Sequence, residues 1–351
     1  MAVADYALVV GINTYPGLTS LEGAENDARD FYAWVTSPDG GKVDKLNATP
    51  LVSSDFAPSA TAENAKPATQ EIEAFFTKID NAAEANNKAG LGLKAGNRLW
   101  LFFSGHGFAP SLDRSGVLLA NATANRIHNV AAMLWADRLY EGGWFDEVFL
   151  FQDACKSPIV GGDLILPFLR KRNAPLGQQR RRFYAFSAKN RQISKELPVG
   201  PRVRGIFTAT LMDALSGNAR DPATGRLTTA QLKAYLQDNM RKLLSSADLA
   251  NDEIAKMPEI LDPDPFEILP AASQPVAKFP VTIVISRPGP PAHIEDSTFA
   301  TIISVNPSPG SWQNALPRGL YKVVVDDLGE KLFQVSGPAS SGIAEVINVA
   351  I

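Results

Sequence analysis

Two apolar segments that each end in a reactive side chain constrain this chain more than any other feature. RLWLFFSGHG spans residues 98–107 and contains His106, and DEVFLFQDAC spans residues 146–155 and ends at Cys155. Continuous apolar runs bounded by polar or glycine residues are typical of strands buried on both faces, as in parallel sheets covered by helices. Ligands of such sheets bind beyond the carboxyl ends of the strands. We therefore expect His106 and Cys155 to face one crevice.

This pair of side chains predicts acyl-transfer chemistry. A thiolate is the reactive form of cysteine, and a neighbouring imidazole can generate it. Each residue also has a plainer interpretation, because an isolated cysteine is often a small buried hydrophobe and an isolated histidine is often a surface or core residue. The strand context and the separation of 49 positions between residues 106 and 155 favour the catalytic interpretation.

Composition limits the class of protein and its partners. The 351 residues suffice for one large domain and a small one. The formal net charge of -3 gives no general attraction to nucleic acid or to an anionic membrane. The single cysteine excludes an internal disulfide and fits a reducing compartment. The first apolar segment, 6–12, is too short to span a membrane and precedes no small-residue cleavage site, so we expect a cytoplasmic protein.

Strand and helix patterns alternate along the first 260 residues. Buried strands are predicted within residues 6–13, 51–52, 98–106, 146–155 and 183–187, and helices at 24–35, 69–85, 130–140, 205–215 and from 228 or 229 to about 244. Exposed loops are predicted after His106, at 170–182 and at 191–204. This alternation predicts an α/β layer with a mainly parallel sheet.

The C-terminal part of the chain has a different pattern. Prolines recur between residues 258 and 280 and predict a linker. Short β-type runs follow it, namely VTIVIS, TIISV, YKVVV, LFQV and EVINV, and predict a small antiparallel sandwich of the immunoglobulin type. The predicted organisation is an α/β domain over 1–260, a proline-rich linker over 261–279 and a β-sandwich accessory domain over 280–351.

The motif SGHG, followed 49 positions later by QDAC, resembles the caspase-like cysteine peptidases, and most of all the metacaspases and their bacterial relatives. The resemblance covers about residues 6–260 and includes YALVVGIN, AENDARDF and GIFTATLMDALSG. A spacing near fifty residues and the tripeptide Gln-Ala-Cys are typical of caspases. This chain has Asp-Ala-Cys instead, so it departs from the caspase pattern at a position that sets substrate specificity. The resemblance implies a three-layer α/β/α sandwich with a mainly parallel sheet.

The resemblance also implies roles for residues around the crevice. His106 is then the general base and later the acid, and Cys155 is the nucleophile that attacks the peptide carbonyl. In similar enzymes the backbone N–H groups at the positions of Gly107 and Cys155 bind the oxyanion. Glycines on both sides of His106 allow a tight chain path and leave the amide unshielded.

Two acidic residues are the candidates for substrate recognition. Metacaspase-like enzymes resemble one another in placing one acidic residue two positions before the nucleophile and another at the start of the first helix, which are Asp153 and Asp27 here. Two carboxylates facing a dry pocket repel each other unless a cation arrives, and a guanidinium fits them. We therefore predict cleavage after arginine and, less efficiently, after lysine. We also predict that a substrate with aspartate immediately before the cleaved bond is refused. Each acid also has an interpretation without a role in recognition. Asp27 could be a first-turn residue that the helix dipole favours, and Asp153 could be a turn residue at the end of its strand.

A calcium requirement is common among metacaspases, and the resemblance raises it for this chain. Asp113, Asp137 and Asp163 lie in roughly suitable regions, but none stands in a tight pattern of oxygen ligands. Solvated loop carboxylates are the favoured interpretation. No metal or other cofactor is therefore predicted, and calcium stays open.

The basic segment RKRNAPLGQQRRR, residues 170–182, lies where similar enzymes carry the linker between their large and small subunits. An exposed arginine-rich loop beside an arginine-selecting pocket is a hypothetical self-cleavage site. The alternative is a solvated basic loop or a nucleic-acid patch.

The predicted function is that of a cysteine endopeptidase acting on proteins or peptides after basic residues, in bacterial regulation, defence or cell death. The setting rests on analogy alone. One alternative is a catalytically silent caspase-like scaffold that binds a partner through the C-terminal β domain, and another is an enzyme that stays latent until a regulatory partner or a second protease activates it. The intact SGHG and QDAC pair argues against the scaffold, which needs neither reactive group.

Overall fold

The computed structural model describes residues 4–111, 114–159, 162–221, 223–271, 278–297 and 299–335. In this part of the chain the helices are α1 (Ala24–Val35), α2 (Thr69–Lys88), α3 (Ala132–Glu141), α4 (Ile206–Asp213), α5 (Thr229–Asn239) and α6 (Ser246–Ala250). The strands are β1 (Ala4–Gly11), β2 (Ala48–Val52), β3 (Gly96–Ser104), β4 (Gly107–Ser111), β5 (Arg114–Leu118), β6 (Asn129–Val130), β7 (Glu147–Asp153), β8 (Arg181–Phe186), β9 (Glu196–Val199), β10 (Arg202–Gly205), β11 (Leu227–Thr228), β12 (Glu259–Leu261), β13 (Glu267–Leu269), β14 (Lys278–Val284), β15 (Ala292–Asp296), β16 (Thr301–Val305), β17 (Ser311–Pro317), β18 (Gly319–Val325) and β19 (Gly329–Val335).

Contacts between residues divide the chain into two compact units. The first unit comprises Met1–Lys195 and Ser246–Phe266, and the second comprises Glu196–Ser245 and Glu267–Ile351. This division assigns residues 196–245 to the same unit as the C-terminal strands. The three-part organisation with boundaries near 260 and 280 stays a prediction.

A six-stranded sheet forms the centre of the first unit. Its strand order is β12-β8-β7-β3-β1-β2. The pairs β2-β1, β1-β3, β3-β7 and β7-β8 are parallel, and only the short β12 runs antiparallel to its neighbour. The predicted α/β fold with a mainly parallel sheet is confirmed.

Alternating side chains of β3 and β7 supply the two faces of this sheet, as the strand period of two requires. Leu101, Phe103 and Leu150 belong to one apolar core with side chains of α2 and α3. On the other face Phe102 stacks on Phe31 of α1 with ring centroids 4.6 Å apart, and Trp100 meets Trp34 of the same helix. The sheet therefore lies between helices on both faces, which explains why these strands read as continuous apolar runs.

The segment after His106 is not the loop that the sequence predicted. It forms β4 and β5, which pair as an antiparallel hairpin and extend to β6. Pro110 and Gly116 favoured a loop in the sequence, but both lie within the strands of this hairpin. The hairpin begins at the residue immediately after His106, so its geometry bears on the site.

The second unit combines helices with antiparallel strands. The strands β16-β15-β18-β19 form one sheet, and β14 pairs with β17. Side chains of both sheets share one apolar core that includes Ile283, Ile294, Trp312 and Val323. The predicted C-terminal β domain is confirmed as antiparallel strands, and the EVINV run lies outside the described residues.

A buried aspartate links the helices and the strands of the second unit. Asp213, at the end of α4, accepts hydrogen bonds from the Tyr235 hydroxyl of α5 and from the Leu320 N–H of β18. The side chain of Asn218 donates to the same carboxylate at 2.8 Å. Burial raises the pKa of the Asp213 carboxyl above its ordinary value, although these hydrogen bonds oppose the shift.

Among the described residues, no helix is both long and apolar enough to cross a membrane.

Candidate active site

The ends of β3 and β7 bring His106 and Cys155 to equivalent positions. Ser104 pairs with Asp153 at the end of the regular ladder, and Phe108 forms a parallel bridge with Ser157 beyond it. Both pairs are 49 positions apart in the sequence, and so are His106 and Cys155. The two segments keep one register through the site, since Gly105 N–H donates to the Asp153 carbonyl at 3.2 Å and Ala109 N–H donates to the Ser157 carbonyl at 3.0 Å.

Gly107 allows this close approach. A β-carbon placed on Gly107 would lie 2.5 Å from the carbonyl oxygen of Cys155 and 2.7 Å from the Cβ of Ala154. Those distances are shorter than any ordinary contact between such atoms. The backbone beside the histidine therefore touches the backbone of the cysteine, and only glycine fits between them.

A backbone carbonyl orients the imidazole of His106. The Nε2 atom of the ring lies 2.6 Å from the carbonyl oxygen of Thr19. A carbonyl oxygen only accepts hydrogen bonds, so Nε2 carries the proton. In the neutral ring, Nδ1 is then the nitrogen with a free lone pair, which is the arrangement that a general base needs. The half-buried position of His106 leaves the ring in reach of solvent and ligand.

Tyr15 supports the histidine from behind. Its hydroxyl accepts a hydrogen bond from the backbone N–H of His106 at 3.0 Å and donates to the Leu118 carbonyl at 3.2 Å. The rings of Tyr15 and His106 pack with their centroids 4.8 Å apart. Burial raises the pKa of the Tyr15 hydroxyl well above its ordinary value, so this group stays a neutral donor.

Cys155 is half-buried, and its sulfur meets the loop that follows β8. The thiol donates a weak hydrogen bond to the carbonyl of Ser194, with 3.7 Å between Sγ and oxygen. Residue 154, immediately before it, is held by Ser187 at the end of β8, whose hydroxyl accepts from the Ala154 N–H at 3.1 Å. The nucleophile candidate thus stands on a strand end that its neighbour β8 fixes.

The candidate recognition residues Asp27 and Asp153 are both buried, at 1% and 5% exposure. Ser104 connects the two acidic residues. Its hydroxyl donates to Oδ2 of Asp27 at 3.1 Å, and its backbone pairs with that of Asp153. The Ser194 hydroxyl donates to Oδ1 of Asp153 at 2.6 Å. Buried carboxylates are costly unless hydrogen bonds or a cation compensate them, and the hydroxyls of Ser104 and Ser194 contribute to that compensation here.

A hydrogen-bond network fixes the start of α1, which carries Asp27. The side chain of Asn13 accepts from the Glu25 N–H at 3.1 Å, in the manner of a helix cap supplied by another segment. The carboxylate of Glu25 accepts from the Ser54 N–H at 3.0 Å and from the hydroxyls of Ser53 and Ser54. These contacts tie the ends of β1 and β2 to the start of the helix that carries Asp27.

Of the candidate calcium ligands, Asp137 and Asp163 lie within the described residues. Asp113 lies outside the described residues, Asp163 is exposed, and Asp137 pairs with Arg182 at 2.8 Å. Burial raises the pKa of Asp137, while the Arg182 guanidinium opposes that shift. In the described ranges there is no group of three or more His, Cys, Asp or Glu side chains that could hold a metal ion.

Several groups at the site were not found from the sequence. Thr19 and Ser194 contact the imidazole and the thiol through backbone carbonyls, which leave no side-chain pattern to read. Tyr15 resembled a turn residue because Pro16 and Gly17 follow it. Ser104 did offer a signal, since it is the polar residue at the end of the same apolar strand that leads to His106.

Comparison with known proteins adds an independent line of information. Residues 4–263 match a family model described as the caspase domain. Among solved structures, caspase-1 from Spodoptera frugiperda is 15% identical, with a TM-score of 0.46, covering 77% of this chain and 92% of that chain. A structure described as pro-sf-caspase-1 is 12% identical, with a TM-score of 0.40, covering 74% of this chain and 91% of that one. No curated protein matches the chain.

Proposed function

Because this chain belongs to the caspase family of cysteine peptidases, we propose that it is an endopeptidase that cleaves proteins after basic residues, arginine in preference to lysine. The family acts on protein substrates. The observation that carries the finer proposal is the pair of buried acids, Asp27 and Asp153, next to the strand ends that hold His106 and Cys155. The closer resemblance to metacaspases stays a prediction.

The chemistry follows from the orientation of the imidazole. Nδ1 of His106 takes the proton of the Cys155 thiol, and the thiolate attacks the carbonyl carbon of the substrate peptide. The N–H groups of Gly107 and Cys155 stabilise the oxyanion of the tetrahedral intermediate. His106 then returns the proton to the leaving amine, and a water molecule hydrolyses the acyl-enzyme by the same route. The Thr19 carbonyl holds the ring in one orientation throughout.

Specificity comes from the two buried carboxylates. Ser104 occupies one oxygen of Asp27 and Ser194 occupies one oxygen of Asp153. A planar guanidinium with five N–H donors can bridge acceptors on two residues, whereas the ammonium of lysine is a compact point charge with a larger hydration cost. A substrate aspartate at the same place would add a third negative charge to this region, so such substrates are refused.

Self-processing within residues 170–182 forms part of this proposal, and the contacts of the segment narrow its position. Most basic side chains there have partners: Lys171 pairs with Glu141, Arg172 with Glu84, Arg180 with the carbonyls of residues 140 and 141, Arg181 with Glu147, and Arg182 with Asp137. Arg170 is exposed and has no ion pair or hydrogen bond within the described residues. Arg181 and Arg182 also lie in β8, and a protease cannot bind a peptide segment that is already part of a sheet. We therefore assign self-cleavage to the bond after Arg170.

The cellular role stays an expectation from the resemblance: bacterial regulation, defence or cell death in the cytoplasm. Protein substrates are the partners that follow from the chemistry. A regulatory partner or an activating protease is a further expectation, and the C-terminal β domain is the candidate surface for it.

The test is hydrolysis of matched fluorogenic peptides that end in arginine, lysine, citrulline or aspartate. Citrulline has nearly the shape of arginine but carries a neutral urea, with an oxygen in place of one NH2 group, so a preference for arginine tests recognition of the charged guanidinium by the carboxylates. We expect turnover in the order arginine, lysine, citrulline, with none for aspartate and none by the Cys155→Ala variant. The assay is repeated with calcium and after limited proteolysis. Absence of turnover under every condition favours the scaffold.

A further inference from the structure

Ser194 contacts both the candidate nucleophile and a candidate recognition acid. Its carbonyl oxygen accepts the hydrogen bond from the Cys155 thiol at 3.7 Å, and its hydroxyl donates to Oδ1 of Asp153 at 2.6 Å. The side chain is only half-buried, so a ligand can displace it.

Each contact opposes one step of the reaction. A thiol that donates to a carbonyl is favoured over the thiolate, because the thiolate would lose that bond and face the negative end of the carbonyl dipole. The hydroxyl meanwhile occupies a carboxylate oxygen that an incoming guanidinium needs. A charged donor forms the stronger hydrogen bond with a carboxylate, so a guanidinium displaces the hydroxyl.

The backbone on both sides of Ser194 is held in place. Gln192 accepts from the Lys156 N–H at 3.0 Å, and Ile193 exchanges two hydrogen bonds with the segment at Glu253 and Ala255. Lys195 forms an ion pair with Asp248. A change at Ser194 is therefore confined to its own side chain and to the peptide group that follows it.

We propose that Ser194 is a positioning residue that couples binding of the substrate's cationic side chain at Asp153 to release of the Cys155 thiol. Loss of the contact with Asp153 removes the restraint on the Ser194 peptide, whose carbonyl then leaves the sulfur. The thiolate therefore forms more readily when a basic side chain occupies the pocket. This inference rests on the proposed function of Asp153 as the acceptor of that side chain.

The experiment measures the alkylation rate of the protein by iodoacetamide, which reports on Cys155 alone because the chain contains one cysteine. Ethylguanidinium imitates the end of an arginine side chain, and ethylurea is its neutral counterpart. We expect ethylguanidinium to raise the rate about fivefold, the value of one ordinary hydrogen bond, and ethylurea to leave it unchanged. Ser194→Ala reacts about fivefold faster without ligand and no longer responds, while Ser194→Thr keeps the hydroxyl and the response.

Two controls separate the coupling from the pocket itself. Ser59→Ala, whose hydroxyl contacts only its own turn, should alkylate at the wild-type rate. Binding of ethylguanidinium is followed separately as a rise in melting temperature. Binding without a change in the alkylation rate overturns the coupling and leaves the arginine pocket standing. If ethylguanidinium does not bind, the proposed arginine preference fails and the coupling fails with it; a faster reaction of Ser194→Ala would then support only a restraint of the Cys155 thiol by Ser194.

Discussion

Gly107 and Cys155 touch through their backbones: a β-carbon on the glycine would lie 2.5 Å from the carbonyl oxygen of the cysteine. Gly107 also supplies one N–H of the proposed oxyanion site. The same close approach holds the segment of the histidine against the segment of the nucleophile. Both the placement of the two segments and the proposed oxyanion site therefore depend on Gly107.

The first prediction concerns this contact. Gly107→Ala forces the two segments apart by a few tenths of an ångström or more, and kcat should fall about 100-fold because reacting groups tolerate little misplacement. Gly310→Ala is the matched control, since a β-carbon there meets no atom within 4 Å. Steady-state kinetics on an arginine peptide give the comparison. Near-wild-type kcat in Gly107→Ala would show that the two segments need not touch.

The second prediction concerns the buried acids. Asp153→Asn and Asp27→Asn each remove a charge that a guanidinium requires, so kcat/KM for an arginine peptide should fall about 30-fold or more. Turnover of the citrulline peptide should change much less, because its side chain is neutral. Asp30→Asn, a change on the same helix as Asp27, is the control. Equal losses on both peptides would point to damage of the fold instead of lost recognition.

The third prediction concerns Tyr15. Tyr15→Phe leaves the His106 N–H and the Leu118 carbonyl without their buried partner, which costs about 1–3 kcal/mol of stability. It also loosens the imidazole, and we expect about a tenfold lower kcat. Urea denaturation and peptide hydrolysis measure the two effects. An unchanged kcat in a destabilised variant would limit Tyr15 to a structural role.

The fourth prediction concerns self-processing. Incubated wild type should yield a fragment ending at Arg170, as measured by intact mass, and Cys155→Ala should yield none. Arg170→Gln should abolish the fragment, whereas Arg181→Gln should not, because Arg181 is paired and lies in β8. Cleavage elsewhere in residues 170–182 would keep self-processing but reject Arg170 as its site.

The pairing of His106 with Cys155 in the sequence analysis has a physical reason, and their catalytic roles stay predictions. Two buried strands that run parallel in one register place residues 49 apart at equivalent heights, and His106 and Cys155 have that spacing. The polar groups that orient them were not predictable, because Thr19 and Ser194 act through carbonyls that every residue possesses. Tertiary pairing also overrode local pattern at residues 107–118, where Pro110 and Gly116 suggested a loop but a hairpin forms.

The sequence also did not indicate that residues 196–245 belong to the same unit as the C-terminal strands. A single aspartate in the apolar segment GIFTATLMDAL gives no local sign of its partners. In the structure Asp213 is buried and joins α4 to α5 and to β18. Strands β15 and β17 were missed because charged and polar residues interrupt them, although their alternate side chains enter the core.

The fifth prediction follows from Asp213. Its pKa is raised by burial above the ordinary 3.8, so the folded state binds its proton more tightly than the unfolded state does. Stability contributed by this group is complete below pH 3.8 and falls as pH rises to the folded-state pKa. Relative to Asp213→Asn, the wild type should lose stability from pH 3.5 to pH 6.5 in denaturation curves. A difference that does not change with pH would contradict the assignment. Asp213→Ala, which removes the acceptor of the Tyr235, Leu320, Ser297 and Asn218 donors, should cost about 3 kcal/mol.

The most direct test of the central claim is covalent labelling of Cys155 by a peptidyl chloromethyl ketone that ends in arginine, read by intact mass and peptide mapping. The chain has one cysteine, so the mapped site is unambiguous. We predict one adduct on Cys155 in wild type, little or none with the aspartate analogue, and none in His106→Ala. Equal labelling by both reagents, or labelling that persists in His106→Ala, would contradict an arginine-directed cysteine peptidase that depends on this histidine.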